Sequence, residues 1–286
     1  MIDFIKYELT NHNPEILEAN TYLEFHETVN RTTGELTPFI QAKYRGLTFK
    51  IYNITTKTYY KRITVEGSLH KYYNDGKHNF NDFGAKEIKT VLNDLKNKFN
   101  IETKNCKLRQ LEIGVNIKPN IETNEILSRC YLHKTEALKS IYTRDEGNYI
   151  QARHQRYIVK IYNKRLHYEN KGYIIENEIM RFEIKYQKMR DLNKLSIYTL
   201  EDLLNFKLIN FKPMLIKEWD NVLFYDLKLT TKNKYDNLHY WLKLKKTYSN
   251  FKYHRNIMNK LINNNQQNTK KYIRTLISEK CDALNT

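Results

Sequence analysis

What most constrains this chain is a succession of strand-like segments, rich in large apolar residues and charges, interrupted by one strong helical repeat. LTFKIYNI (47–54) and YYKRITVEGSLHKYYN (59–74) carry aromatic and branched residues at strand density and flank TTKT, which predicts a β-hairpin. After NDGKHN, the spacing of Ile88, Val91, Leu92, Leu95 and Phe99 predicts a helix capped by Asn81 or Asp82. KLRQLEIGVNI (107–117) reads as a strand, and IETNEILSRCYLHK as a short helix capped by Thr123. A second hairpin-like unit runs from about Tyr149 to Tyr168, followed by the strand EIMRFEIKY. TLEDLLNF opens a helical region near Thr199, and LIKEWDNVLF continues it after Pro213. Two further helices, 235–263 and 268–284, are expected on either side of NNNQQN, the second with Ile273, Leu276, Ile277, Cys281 and Leu284 on one face. Strands that precede and alternate irregularly with helices indicate an α+β fold with a mainly antiparallel central sheet and flanking helices, then a helical C-terminal region. Only 8 Gly and 4 Pro in 286 residues leave few breaks in these elements.

Charge divides the chain. The 49 Lys+Arg against 32 Asp+Glu leave +17, an excess that suits a polyanion, nucleic acid first and an anionic membrane second. Residues 231–286 hold 12 Lys/Arg and 3 Asp/Glu, so +9 of the excess lies in the last 56 positions. The expected organisation is therefore a body, 1–230, and a basic helical tail, 231–286. Lys245, Lys246, Lys252, Arg255, Lys270, Lys271 and Arg274 are its candidate phosphate contacts, against the alternative of a solvated helical face. No apolar run reaches membrane-spanning length and no leader pattern is present, so a soluble protein of the cytoplasm is expected. Cys106, Cys130 and Cys281 lack CxxC spacing and read as free thiols.

Strand alternation picks out chemistry. In VKIYNK, Lys160, Tyr162 and Lys164 share a parity; in RFEIK, Arg181, Glu183 and Lys185 do; in LRQLEIGVN, Gln110, Glu112 and Asn116 do. Lysines beside a phenol favour its phenolate and suit a phosphate, and carboxylates on neighbouring strands suit a hard cation such as Mg²⁺ or Mn²⁺. Tyrosine, metal and lysine together make a DNA-nicking transesterification site. Glu112, Glu183 and His70 are the candidate metal ligands; each candidate also has a structural reading, Tyr162 as strand packing, the glutamates as surface ion pairs and His70 as a hydrogen-bonded sheet residue.

The ordered set GSLHKYYN, LRQLEIGVN, VKIYNK and MRFEIKYQKMRDLNKLSIYTLEDLL, over roughly residues 45–225, resembles the filamentous-phage gene II/gene X replication initiation family and the plasmid Rep-trans rolling-circle initiators. The resemblance implies metal-dependent nicking of one origin strand, a 5′-phosphotyrosine link at Tyr162 and a free 3′-hydroxyl primer. It places Lys164 in the family's Y-x-K strand, Gln110 to Glu112 in its R-x-D/E strand and Arg181 to Glu183 in its R-F-E strand. Asn116 departs from it, standing where the family often has a second acid. The implied partners are single-stranded or supercoiled origin DNA and a host helicase and polymerase, in a bacterial cytoplasm, with no membrane. Lys160, Arg181 and Lys185 would face DNA, and Tyr72, Tyr73 and Tyr157 are candidates for stacking on bases. Two alternatives stay open, a non-cutting origin-binding initiator and a mobilisation relaxase; the sequence has no His-apolar-His triplet of the kind relaxase-like initiators use.

HKYYN (70–74) is similar to VKIYN (159–163), and LRQLEI (108–113) to IMRFEI (179–184). This suggests two related halves, with Tyr73 the counterpart of Tyr162 and Glu112 beside Glu183. Chance likeness between strand sequences is the competing explanation.

Overall fold

The computed structural model describes residues 1–55, 59–143, 147–226, 234–265 and 268–285. Its strands are β1 (Ile2–Leu9), β2 (His26–Val29), β3 (Leu36–Tyr44), β4 (Leu47–Thr55), β5 (Tyr59–Ser68), β6 (Cys106–Ile117), β7 (Cys130–His133), β8 (Glu136–Ala137), β9 (Lys139–Thr143), β10 (Gly147–Arg153), β11 (Tyr157–Asn163), β12 (Met180–Tyr186) and β13 (Val222–Phe224). The helices are α1 (Pro14–Glu18), α2 (Leu69–Tyr73), α3 (Ala85–Phe99), α4 (Thr123–Ser128), α5 (Lys164–Glu169), α6 (Arg190–Asn193), α7 (Leu200–Asn205), α8 (Lys212–Asp220), α9 (Leu238–Leu244), α10 (Tyr248–Asn263) and α11 (Thr269–Ala283). Among the described residues, ten strands form one sheet in the order β2-β3-β4-β5-β1-β6-β12-β11-β10-β9, and β13-β7-β8 form another. The pairs from β2 to β6, and those among β9, β10 and β11, are antiparallel. The fold is α+β with a large antiparallel sheet, flanking helices and a helical C-terminal region.

The chain divides into two compact units, one of Met1–Gly114, Lys185–Phe211 and Ala283–Thr286, the other of Val115–Ile184 and Lys212–Asp282. In the first, β3 and β4 are joined by Arg45 and Gly46, both at positive φ (45° and 84°), the turn geometry that matches hairpin twist. Gly67 at φ +150° has no room for a side chain, since a Cβ there would lie 2.2 Å from the Gly46 carbonyl oxygen. Phe49, Ile51, Ile63 and Val65 form the buried parity of β4 and β5, and Phe49 meets Phe99 of α3 with centroids 5.0 Å apart. The five apolar positions of α3 are all buried, as their spacing requires. Its cap is Gly84, whose N–H donates to the Glu87 carboxylate at 2.7 Å, in place of Asn81 or Asp82.

In the second unit, the small sheet and the helices α9 and α10 enclose a core of Leu132, Leu223, Tyr225, Tyr235, Trp241, Phe251, Met258 and Ile262. The C-terminal helices are thus packed elements of this unit. The expected boundary at 230/231 lies outside the described residues, as does most of TTKT.

Several local expectations are corrected. HKYYN is not strand: β5 ends at Ser68, whose hydroxyl accepts the Lys71 N–H at 3.0 Å and starts α2, so His70 and Tyr73 are helical. The proposed equivalence with VKIYN, which lies in β11, does not hold. β1 also stands between β5 and β6, whereas β11 and β12 are direct neighbours. The hairpin read to Tyr168 ends at Asn163, and Lys164 is the first residue of α5. Thr123 is the first helical residue of α4, with Glu122 at the cap. The 235–263 helix is two, α9 and α10, separated at Lys245–Thr247, and NVLF contributes β13 instead of more helix. The helical region expected near Thr199 begins there: Thr199 caps α7 through a reciprocal pair of bonds with Asp202.

Candidate metal centre and tyrosine site

β1, β6 and β12 are consecutive in the sheet, and each carries one buried acid: Asp3, Glu112 and Glu183, 4%, 6% and 2% exposed. One carboxylate oxygen from each lies within 4.8 Å of the others. Three carboxylates this close and out of water repel one another, which a bound cation would relieve. An all-oxygen, anionic donor set suits a hard divalent cation such as Mg²⁺ or Mn²⁺.

Asp3 and Glu183 are held by hydrogen-bond donors. The Ser68 hydroxyl donates to Asp3 Oδ1, and the Asn79 amide donates to Asp3 Oδ2 at 2.6 Å. Arg181, 3% exposed, donates from Nε to Glu183 Oε2 at 2.9 Å and from Nη1 to Asn116 Oδ1 at 3.3 Å. Arg181, read as a DNA contact, is a buried clamp on the centre. Asn116, in place of an acid, serves that clamp.

Tyr162 is the next-to-last residue of β11. There the chain turns into α5 at Asn163, whose side chain accepts the Leu166 N–H at 2.9 Å. That turn, not strand alternation, brings Lys164 back: its ammonium donates to the Tyr162 hydroxyl at 3.2 Å and lies over the Tyr162 and Tyr168 rings at 5.4 and 5.6 Å. Lys164 is 1% exposed, so its charge acts from within the protein. The Lys164 amide donates to the Ile179 carbonyl at 2.8 Å, tying this turn to the residue before β12.

Other expected site residues fall elsewhere. His70 Nε2 lies 2.7 Å from Asn81 Oδ1 and its ring stacks on Phe83 at 4.7 Å; it is not part of the three-acid group. Lys160 sits over the Tyr149 ring at 4.6 Å and Lys185 over Phe4 at 4.1 Å. Of the stacking candidates, Tyr72 is buried with its hydroxyl on Asp94 at 2.7 Å, while Tyr73 is 41% exposed.

In the tail, Lys246, Lys252 and Lys271 are exposed. Lys245 donates to the Thr135 carbonyl at 3.2 Å. Arg255 donates to the Lys134 and Asn221 carbonyls at 3.4 and 2.8 Å, and Arg274 to Asp220 at 3.0 Å. The Lys270 ammonium donates to the Asp220 and Val222 carbonyls at 2.9 and 2.7 Å, and burial pushes its pKa down to about 8. Arg255 and Lys270 therefore hold the second unit together instead of presenting free charge.

The strand alternation did not single out Asp3, although IDFIKYEL carries the signal, an acid on the same parity as the buried Ile5, Tyr7 and Leu9. The fold also assembles a second polar cluster that no sequence motif marks. His133, fully buried, lies between His154 (Nδ1 to Nε2, 2.7 Å) and Glu218 (Nε2 to Oε2, 2.9 Å), and Lys134 and Tyr157 converge on Glu218 at 3.0 and 3.3 Å. Burial, then the neighbouring His133 and Lys134, push His154 down to about 4. Burial alone would raise Glu218, but His133 and Lys134 hold it at about 2.

No protein-family model and no curated protein matches the chain. Among solved structures, it is similar to a rolling circle replication initiator protein from Geobacillus stearothermophilus, with 14% identity and a TM-score of 0.41 over 82% of this chain and 89% of that one.

Proposed function

We infer that this chain is a rolling-circle replication initiator that nicks one strand of origin DNA through Tyr162. The observation that carries the reading is the buried Asp3–Glu112–Glu183 group. Its support is the Lys164–Tyr162 pair and the order of the motifs around both. In the reaction, the Tyr162 oxygen forms a bond to the scissile phosphorus and the bond to the 3′ oxygen breaks. The phenol gives up its proton and the leaving oxygen gains one, so the products are a 5′-phosphotyrosine and a 3′-hydroxyl. A tyrosine hydroxyl ordinarily ionises near pH 10, at about that value in model peptides. The Lys164 ammonium stabilises the phenolate and orients its oxygen. Asp3, Glu112 and Glu183 would hold Mg²⁺ or Mn²⁺, which supplies charge neutralisation at the attacked phosphate. Arg181 fixes Glu183, and Ser68 and Asn79 fix Asp3. The region 1–230 would cut, and exposed lysines of 231–286 would add affinity for duplex; a helicase and polymerase of the bacterial host would extend the primer.

The test is to incubate the protein with Mn²⁺ and supercoiled DNA carrying its own replicon, then to map any denaturant-resistant DNA adduct by peptide mass. We expect the adduct on Tyr162, and its loss in Tyr162→Phe with unchanged melting. An adduct on Tyr157 or Tyr73 would move the nucleophile, and no adduct with either Mn²⁺ or Mg²⁺ would overturn the reading.

A further inference from the structure

The first unit carries a sheet face that its core does not explain. In an antiparallel sheet with one face on the core, the other parity is expected to be polar. On β3, β4 and β5 that parity carries Thr37, Gln41, Thr48, Thr64 and Glu66, but also Phe39, Tyr52, Ile54 and Tyr60, with Lys43, Lys50 and Arg62 on the same face. The register sets Phe39 opposite Tyr52, Tyr52 opposite Arg62 and Ile54 opposite Tyr60. The Phe39 and Tyr52 rings are 5.0 Å apart, Lys50 lies over Phe39 at 5.1 Å and the Arg62 guanidinium over Tyr52 at 4.7 Å. Tyr60 is 49% exposed and Phe39 and Tyr52 are half-buried; Lys43, exposed, lies farther along β3, opposite Thr48. Lys50 also pairs with Glu66 at 2.6 Å, whereas the buried Nε of Arg62 has no hydrogen-bond partner.

We propose that this face is a platform for a single DNA strand, with bases stacking on Phe39, Tyr52 and Tyr60 and phosphates taken by Arg62 and Lys43. The proposal rests on the replication-initiator reading and adds to it where the unpaired strand lies. Rings without charge would suit any apolar partner; rings alternating with cations, in a chain of net +17, match the alternation of base and phosphate along a strand. The open sheet face, instead of a narrow groove, suits bases that are already unpaired.

The experiment uses the full chain in EDTA, so that no cutting occurs, and a fluorescein-labelled dT20 read by anisotropy. Tyr52→Ala and Phe39→Leu are expected to weaken binding about fivefold to a hundredfold each, the range for loss of one base–aromatic stack, while Tyr52→Phe binds as wild type. Tyr60→Ala, at an exposed position, gives a second arm should Tyr52→Ala fold poorly. A 20-base-pair duplex should lose much less affinity than dT20 in every variant. Folded variants that bind dT20 as wild type, or that lose duplex and dT20 equally, would overturn the proposal. So would a concentration-dependent dimer that Tyr60→Ala breaks while dT20 binding stands, because the face would then belong to a second copy. If the platform variants fail on dT20 but Tyr162 forms no adduct, the nicking reading falls and the platform stands. If the adduct forms and the variants bind normally, the platform alone falls.

Discussion

Replacing Glu112 by Gln should change stability in opposite directions with and without metal. The substitution keeps the side chain's shape and removes one of three negative charges whose oxygens lie within 4.8 Å of each other. At that separation and an effective dielectric constant of about 20, each pair of carboxylates repels by about 3.5 kcal/mol. Arg181 beside Glu183, and the bonds from Ser68 and Asn79 to Asp3, already offset part of this. We therefore expect Glu112→Gln to gain about 1–3 kcal/mol in EDTA, which raises the melting temperature by a few degrees. In the wild type, Mn²⁺ at one hundred times its dissociation constant adds about 2.7 kcal/mol, a rise of about 5–10 °C. The variant should lose most of that rise, since a neutral amide replaces an anionic ligand. Differential scanning fluorimetry across a Mn²⁺ series measures both effects on the same samples. A variant that melts below wild type in EDTA and keeps the full Mn²⁺ shift would refute the reasoning, because the acids would then be a hydrogen-bonded network and not a cation site.

Other outcomes follow from the second unit. His154 is held at about 4 in the fold against about 6.5 in the unfolded chain, so the unfolded state takes the proton first and stability should fall as pH drops from 6.5 to 4. Glu218, at about 2, loses its contribution only below about 4.3, so the two windows separate; a melting temperature that falls equally in wild type and His154→Gln between pH 7.5 and 5 would count against this. Trp241→Ala, at a fully buried ring whose Nε1 donates to the Tyr235 carbonyl at 2.9 Å, should cost about 3–5 kcal/mol in urea unfolding; a loss under 1 kcal/mol would mean the C-terminal helices are not part of that core. Neutralising the exposed Lys246, Lys252 and Lys271 together should reduce the slope of log K against log salt for duplex DNA by about 2–3, and an unchanged slope would remove them from the interface.

The parts of this fold that are legible in the sequence are those in which one periodicity runs unopposed. α3 shows five apolar residues at helical spacing and buries all five. β6 and β12 read as strands because apolar residues flank their acids on both sides, and the same pattern exposed Glu112 and Glu183 as a pair. HKYYN misled because tyrosine is favourable in strands, whereas here a serine cap one residue upstream of Leu69 decided for helix. Strand alternation pairs Lys164 with Tyr162, but their contact depends on a strand-to-helix turn that alternation cannot express. Asp3 shares the buried parity of Ile5, Tyr7 and Leu9, but that parity says only that it points inward; its partners, Glu112 and Glu183, are 109 and 180 positions away. The tail lysines were counted by charge alone, and only geometry separates Lys270, bonded to two carbonyls, from Lys271, which is exposed.

The position of β1 in the middle of the sheet has a consequence for how the chain reaches its fold. Ile5 pairs with Gly67 on one side and Leu111 on the other, partners 62 and 106 residues further along. At a synthesis rate of roughly 5–20 residues per second, β1 waits on the order of 5–20 s after its own emergence before its second neighbour exists. Until then β1, paired on one side with β5, is an open edge, an apolar strand with its other side unpaired. Long-range closure of this kind is slow, so the sheet, and with it the meeting of Asp3 and Glu112, is completed late in folding, after local elements such as α3 have formed.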